Sequence, residues 1–178
     1  MRFTLIDRIV SLEPGRRIEA VKNLTMAEEY LAEHFPGFPV LPGVLMLEAV
    51  TQAGAWLIRA TEDFRHSVIL LKEAKAVKYG RFVTPGKQLR ITCEWAGETG
   101  SLVTMKAKGE LAGASSVSCR LTLERFNLTE QHAGYAEQDR RLKDWHRQLF
   151  LRLAGPEIRD RMADDVAANS GVGLASAR

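Results

Sequence analysis

Only two of the 178 residues are cysteines, Cys93 and Cys119. They form neither a CxxC nor a mixed Cys/His spacing, and a chain of this length needs no covalent staple. A disulfide scaffold is therefore excluded, and reduced thiols in a cytoplasmic protein are expected. No apolar run reaches the roughly 20 residues that a bilayer crossing requires. The longest, Gly43 to Ile58, is interrupted by Glu48 and Gln52. At the N-terminus, Asp7 and Arg8 fall where an export signal would have to be apolar, which disfavours secretion. Aromatic residues make up only 7% of the chain and do not interleave with basic ones, so nucleic acid is not an expected partner. The four histidines, His34, His66, His132 and His146, show no short ligand spacing, and neither a metal nor a cofactor is expected. A serine triad has no nucleophile-elbow motif to anchor it.

What remains is an ordinary globular composition, 46% hydrophobic and 26% charged, enough for one domain with additions. The net charge of +3 lies wholly in residues 1–126, which hold 17 Lys and Arg against 14 Asp and Glu. Within that region Lys72, Lys75, Lys78, Arg81, Lys87 and Arg90 face a single acid, Glu73. Such a stretch suits an anionic partner, a phosphate or an acidic protein; a solvated strand face is the plain alternative.

Periodicity predicts an α+β chain. Residues 5–12 lead into Glu13, Pro14 and Gly15, a turn signal, and a strand pattern resumes over 16–25, which makes a hairpin. Thr25 is placed to cap a short helix ending near His34. HFPGFPVLPG, residues 34–43, holds three prolines and two glycines and must be a structured loop. The following VLMLEAVTQAGAWLIRA is apolar on nearly every side, as in a helix buried all round. Beyond Arg65 come long strand-like segments separated by turns at 84–86 and 98–100, an antiparallel sheet for that helix to pack against.

Glu48 is the only ionisable side chain between Gly43 and Ile58. A lone carboxylate in an apolar wall is costly, and such a group tends toward acid chemistry unless it merely forms a buried polar pair. Gln52 stands four residues on, one helical turn along the same face. His34 opens the proline-restricted loop that leads to this helix, the fixed placement that a general base needs. Gly43, at the helix start, offers an unpaired N–H at the positive end of the dipole with no side chain in the way, a candidate oxyanion donor. A base, an acid and a carbonyl polariser between apolar walls suit removal of a proton beside a carbonyl while a neighbouring hydroxyl leaves as water.

His34 to Gly43 followed by VLMLEAVTQAG closely resembles the signature of FabZ-type 3-hydroxyacyl-(acyl-carrier-protein) dehydratases, and the flanks LIDRIVSLEPGRRIEAVKNLT and VKYGRFVTPGKQLRI extend the likeness over residues 2–126. The resemblance implies a hot-dog fold, an antiparallel sheet wrapped around a long buried helix. It further implies that His34 is the base, that Glu48 protonates the departing hydroxyl and that the Gly43 N–H binds the thioester carbonyl. Gln52 would orient Glu48, and Phe35 and Val40 would contact substrate. Glu48, where FabA-type relatives carry Asp, implies dehydration without isomerisation. Family sites form at a two-fold interface, histidine from one subunit and acid from the other, and the dimers often join into hexamers. An acyl carrier protein would dock on Lys72, Lys75, Lys78, Arg81 and Lys87. Gly80 and Phe82 depart from the family's usual arginine and proline. Two other readings remain open: a related hydratase or thioesterase acting on acyl-CoA, and a non-catalytic acyl-binding homologue.

The chain thus divides into a hot-dog domain (1–126), a helical extension (127–168) and a flexible tail (169–178). Leu142, Trp145, Leu149 and Leu153 recur at helical spacing, and Gly155 and Pro156 stop and restart the helix. Packing of this stripe on the core or on a neighbouring subunit is expected, with attachment to a partner or a membrane surface as the alternative.

Overall fold

The computed structural model describes residues 3–160. Strands β1 (Arg8–Glu13) and β2 (Arg17–Asn23) form the expected hairpin. Its turn closes through Arg16 N–H to the Glu13 carbonyl at 3.0 Å, with Gly15 at φ 70°, a conformation that glycine adopts freely. Next come helix α1 (Gly43–Thr61) and strands β3 (Val68–Tyr79), β4 (Gln88–Thr99), β5 (Leu102–Leu111) and β6 (Ala114–Phe126). All pairings are antiparallel, in the order β1-β2-β4-β5-β6-β3. The sheet wraps α1 in a hot-dog arrangement, as expected.

Alternation decides which face closes on the helix. Leu89, Ile91 and Cys93 of β4, Val103, Met105 and Ala107 of β5, and Val117, Cys119, Leu121 and Leu123 of β6 are buried, while the residues between them point outward. Both cysteines are free and buried, and Cys93 Sγ donates to the Val50 carbonyl at 3.2 Å. Small residues of α1 let the sheet come close. A Cβ on Gly54 would lie 2.9 Å from Met105 Sδ and 3.1 Å from Leu123, so this mid-helix glycine is required by packing. Full burial of Val50, Leu57 and Ile58 stabilises the fold by about 1.5–3 kcal/mol each.

Two expectations are refined. The short helix before the loop is a single 3₁₀ turn, Glu29–Ala32, because prolines begin four residues after its end, at Pro36, and Thr25 Oγ1 reaches only the Ala27 N–H, at 3.3 Å. The extension does form a helix, α2 (Ala136–Leu153), and a further helical turn opens at Pro156. Its packing stripe is only partly the predicted one: Leu153 is buried and Leu149 packs against the core as expected, but Phe150 joins them and Trp145 does not. Phe150, Leu153, Ala154 and Ile158 are buried, whereas Trp145 is 54% exposed. The cause is aromatic: Phe150 sits against Trp56 and Phe64 of the core, centroids 6.1 and 5.6 Å away, and this contact sets the helix's rotation. The expected tail 169–178, and residues 161–168 of the restarted helix, lie outside the described residues.

Candidate active site

The loop before α1 is pinned by its own backbone. Phe35 and Phe38 exchange N–H to carbonyl bonds at 3.1 and 2.9 Å across Pro36 and Gly37, with Gly37 at φ 80°. Proline followed by a positive-φ glycine is the sequence of a type II turn. The two ends of the loop are tied by Val40 N–H to the His34 carbonyl at 3.0 Å. The Val40 side chain is wholly buried, and its carbonyl oxygen lies 3.1 Å from His34 Nδ1. A carbonyl only accepts, so Nδ1 carries the proton and the Nε2 lone pair is left for a base. Phe35 stacks on the imidazole at 4.0 Å.

Glu48 is held from the same helix. Gln52 Nε2 donates to Glu48 Oε1 at 2.9 Å and to the Phe3 carbonyl at 2.9 Å, while Gln52 Oε1 accepts from Leu5 N–H at 2.9 Å. The amide cannot turn over without breaking these bonds, so its N–H₂ is fixed toward the carboxylate. Both side chains line a cavity of about 190 Å³. Its walls join the apolar Ala55, Trp56, Ile69 and Leu149 to the polar Thr4, Thr51, Arg59 and His146. His34 does not line this cavity. Within one chain the structure joins Glu48 with Gln52, and His34 with Val40 and Phe35, but it does not bring base and acid into one pocket.

At the head of α1 the first N–H to bond backward is that of Leu45, to the Pro42 carbonyl at 3.0 Å, which leaves the Gly43 N–H without a helical partner. A Cβ on Gly43 would stand 3.1–3.3 Å from three ring carbons of Tyr79. Sequence reasoning missed Tyr79, the last residue of β3, which lies over the proposed oxyanion donor. Gly80, one of the departures from the family pattern, has a local cause: a Cβ there would overlap the Ser115 carbonyl oxygen, where β3 leaves β6. Phe82, the other departure, meets Phe38 edge to face at 5.7 Å. Phe35, Phe38, Val44, Tyr79 and Phe82 are all at least half exposed.

The basic stretch divides. Lys72 pairs with Glu124 at 3.0 Å, Lys75 with Glu73 at 2.9 Å and Arg90 with Glu19 at 3.3 Å. Lys78, Arg81 and Lys87 form no ion pair among the described residues. Lys75 and Lys78 line a groove of about 550 Å³ on the outer face of the sheet, beside Lys106, Lys108 and Arg120. Strand register creates this cluster: Lys75 is opposite Arg120, and Arg120 is opposite Lys106. Glu94 lines the same groove opposite Lys106, and Lys108 pairs with Glu110 at 2.9 Å, so the cluster's charge is partly compensated. The contributions of β5 and β6 escaped sequence reasoning because single alternating lysines in a strand look like a solvated face.

A family model described as a FabA-like domain matches residues 1–119. The chain belongs to the FabA-like family. Among curated relatives, the 3-hydroxyacyl-(acyl-carrier-protein) dehydratase FabZ of Symbiobacterium thermophilum is 47% identical over 92 residues, 52% of this chain and 65% of that protein. The match thus spans just under two thirds of that relative. The FabZ of Syntrophomonas wolfei is 38% identical over 117 residues, 66% of this chain and 80% of the relative. Among solved structures, the dehydratase heterocomplex ApeI:P of Xenorhabdus doucetiae covers 75% of this chain and 90% of its own at 16% identity, with a TM-score of 0.59. The Escherichia coli PaaI protein aligns at 11% identity with a TM-score of 0.51, over 67% of this chain and 78% of its own. At these identities the structures support the shared fold alone. The FabA-like match contains His34, Gly43, Glu48 and Gln52 and ends before α2 begins.

Proposed function

We propose that this chain dehydrates 3-hydroxyacyl thioesters carried on an acyl carrier protein to trans-2-enoyl thioesters, as a cytoplasmic lyase of fatty acid synthesis. The observation that carries the reading is the fixed Glu48–Gln52 pair facing a cavity beside the buried helix, in a chain whose curated relatives are named as FabZ dehydratases. His34 Nε2 takes the proton from C2. Electron density moves to the thioester oxygen, held by the Gly43 N–H, and returns as the C2–C3 double bond forms. The C3–O bond breaks as Glu48 delivers its proton, and water leaves. Protons balance, since one is taken by His34 and one given by Glu48, and neither metal nor redox cofactor enters.

The working unit in this reading is a two-fold dimer. Among the described residues His34 and Glu48 do not share a pocket, β3 stands at the sheet's edge with no strand beyond it, and the apolar side chains around His34 and Gly43 are exposed. A 12-residue uncovered edge strand is a natural place for a second copy to add. Carrier docking falls to Lys78, Arg81 and Lys87, which meet no acid among the described residues, with Lys72 and Lys75 beside them already paired to Glu124 and Glu73.

The test is formation of enoyl thioester from 3-hydroxyacyl-carrier protein. Replacing His34 or Glu48 with Ala is expected to lower turnover by about 10²–10⁴-fold with the circular dichroism unchanged. Near-normal turnover in either variant rejects the assignment. Equal efficiency on coenzyme A-linked substrate removes the case for carrier docking.

A further inference from the structure

Arg59 is a buried basic side chain that the proposed chemistry leaves unused and that, unlike buried Lys22 and Arg125, meets no carboxylate among the described residues. It is 9% exposed, yet among the described residues its guanidinium has no ion pair and no hydrogen bond, and its Nε is buried without an acceptor. The guanidinium lies over the Trp56 ring, 5.2 Å from its centroid. A buried arginine that served structure alone would be paired. Arg125, also buried, shows the contrast, with Glu62 and Glu98 each at 3.0 Å.

Position supplies the meaning. Arg59 is 11 residues beyond Glu48, about 20° away around the helix and ~16 Å along it. Both line the same cavity, and along α1 the wall between them carries Thr51, Gln52, Ala55 and Trp56. Helix α2 roofs the Arg59 end through His146 and Trp145. His146 stays neutral there, its pKa lowered to about 4 by burial and by the neighbouring Arg59 charge. Arg152 lines the adjoining hollow with Thr4, Trp145 and Leu149, three residues that also border the first cavity. Glu48 is the only acid on either wall. Among the described residues, the Arg59 end therefore offers a largely buried cation, a neutral imidazole and no acid.

We propose that this end of the cavity binds the terminal carboxylate of an ω-carboxyacyl chain whose thioester end is presented to Glu48. The inference rests on the dehydratase reading for what happens at Glu48. A free inorganic anion could neutralise Arg59, but it would have no use for a passage leading to the catalytic carboxyl. Ionised guanidinium and carboxylate groups form paired, charge-assisted hydrogen bonds in such a site.

Binding can be read without turnover. Saturated ω-carboxyacyl pantetheine thioesters of graded length, which have no 3-hydroxyl to lose, are titrated into the full chain beside their methyl esters. The fluorescence of Trp56 and Trp145 reports occupancy. At the length that spans the cavity, the acid is expected to bind about tenfold or more tightly than its ester. Arg59→Met is expected to bring the ratio to about one, and Arg59→Lys, which keeps the charge but not the fork, to an intermediate value. Equal affinities at every length, no binding of either probe, or a preference that survives Arg59→Met overturns the proposal. So does inorganic phosphate, if it displaces the acid from wild type at concentrations that leave the ester bound. Failure of the dehydratase reading looks different: no 3-hydroxyacyl substrate gives enoyl product, while the preference for the acid persists.

Discussion

Gln52 uses both hydrogens and its oxygen in fixed contacts, so it is a positioning residue whose loss should separate geometry from binding. In Gln52→Met the Glu48 carboxyl loses its partner while the cavity walls remain. We expect kcat to fall about tenfold with KM little changed, and stability to fall by about 1–3 kcal/mol because the Leu5 N–H and Phe3 carbonyl lose their partner too. Steady-state kinetics and urea unfolding measure the two effects; a rise in KM with kcat intact would show that the amide binds substrate instead. At Gly43 the constraint is steric. Gly43→Ala drives a methyl group into the Tyr79 ring, and an approximately tenfold loss in kcat/KM is expected, partly restored by adding Tyr79→Ala. If the double variant is no better than Gly43→Ala alone, ring displacement is not the cause. The Glu48–Gln52 pairing was legible because both residues stand on one helix at a spacing of four. Tyr79 was not, since it meets Gly43 only through strand pairing 36 positions away. Arg59 was hidden differently, as a charge at the end of an apolar run, where a basic residue ordinarily marks a helix's exit to solvent.

At the level of elements, α2 is held by one carboxylate and one aromatic cluster. Asp139 is 4% exposed and accepts from the Leu128 N–H at 2.8 Å, the Thr129 N–H at 3.0 Å, Thr129 Oγ1 at 2.9 Å and Ser67 Oγ. Burial acts to raise its pKa, but these four donors outweigh it and hold the carboxyl down at about 2. A depressed carboxylate stabilises the native state above its unfolded pKa, near 4, and that contribution drains away as pH falls toward 2. His146 has the same sign. Its folded pKa of about 4 lies below the unfolded value, so stability is lost as pH falls from about 6.5 toward 4. Acid should therefore loosen α2 from the core before the sheet unfolds, seen as Trp145 and Trp56 fluorescence changing ahead of the far-ultraviolet signal. Asp139→Ala is expected to cost about 2 kcal/mol or more at pH 7 and to flatten the low-pH part of that dependence. Coincident transitions at every pH would refute a separately held α2. Sequence periodicity revealed this helix but not its rotation. Leu142, Trp145 and Leu149 form as good a stripe as the one used, and only the waiting rings of Trp56 and Phe64 favour Phe150.

For the whole molecule, the hot-dog sheet and its helix were readable because alternation in β4, β5 and β6 and the all-round apolarity of α1 are local patterns that agree with one another. Which surfaces meet a second copy is not a local property, and it is where the proposed mechanism is most exposed to test. If His34 of one subunit serves Glu48 of the other, two inactive variants must complement. A mixed dimer of His34→Ala and Glu48→Ala subunits holds one site with both groups intact and one with neither. Random reassociation of equal amounts makes about half of the dimers mixed, so about a quarter of the wild-type activity should return. A site built within a single chain predicts none, because every such site lacks either its base or its acid. Unfolding the two variants together, refolding them and assaying enoyl formation against each variant refolded alone decides between these geometries. Restoration near a quarter also requires that exchange be complete, which differently tagged subunits verify by co-purification. Activity no higher than that of the separate variants, with exchange verified, would place both groups in one subunit's pocket and overturn the shared-site mechanism.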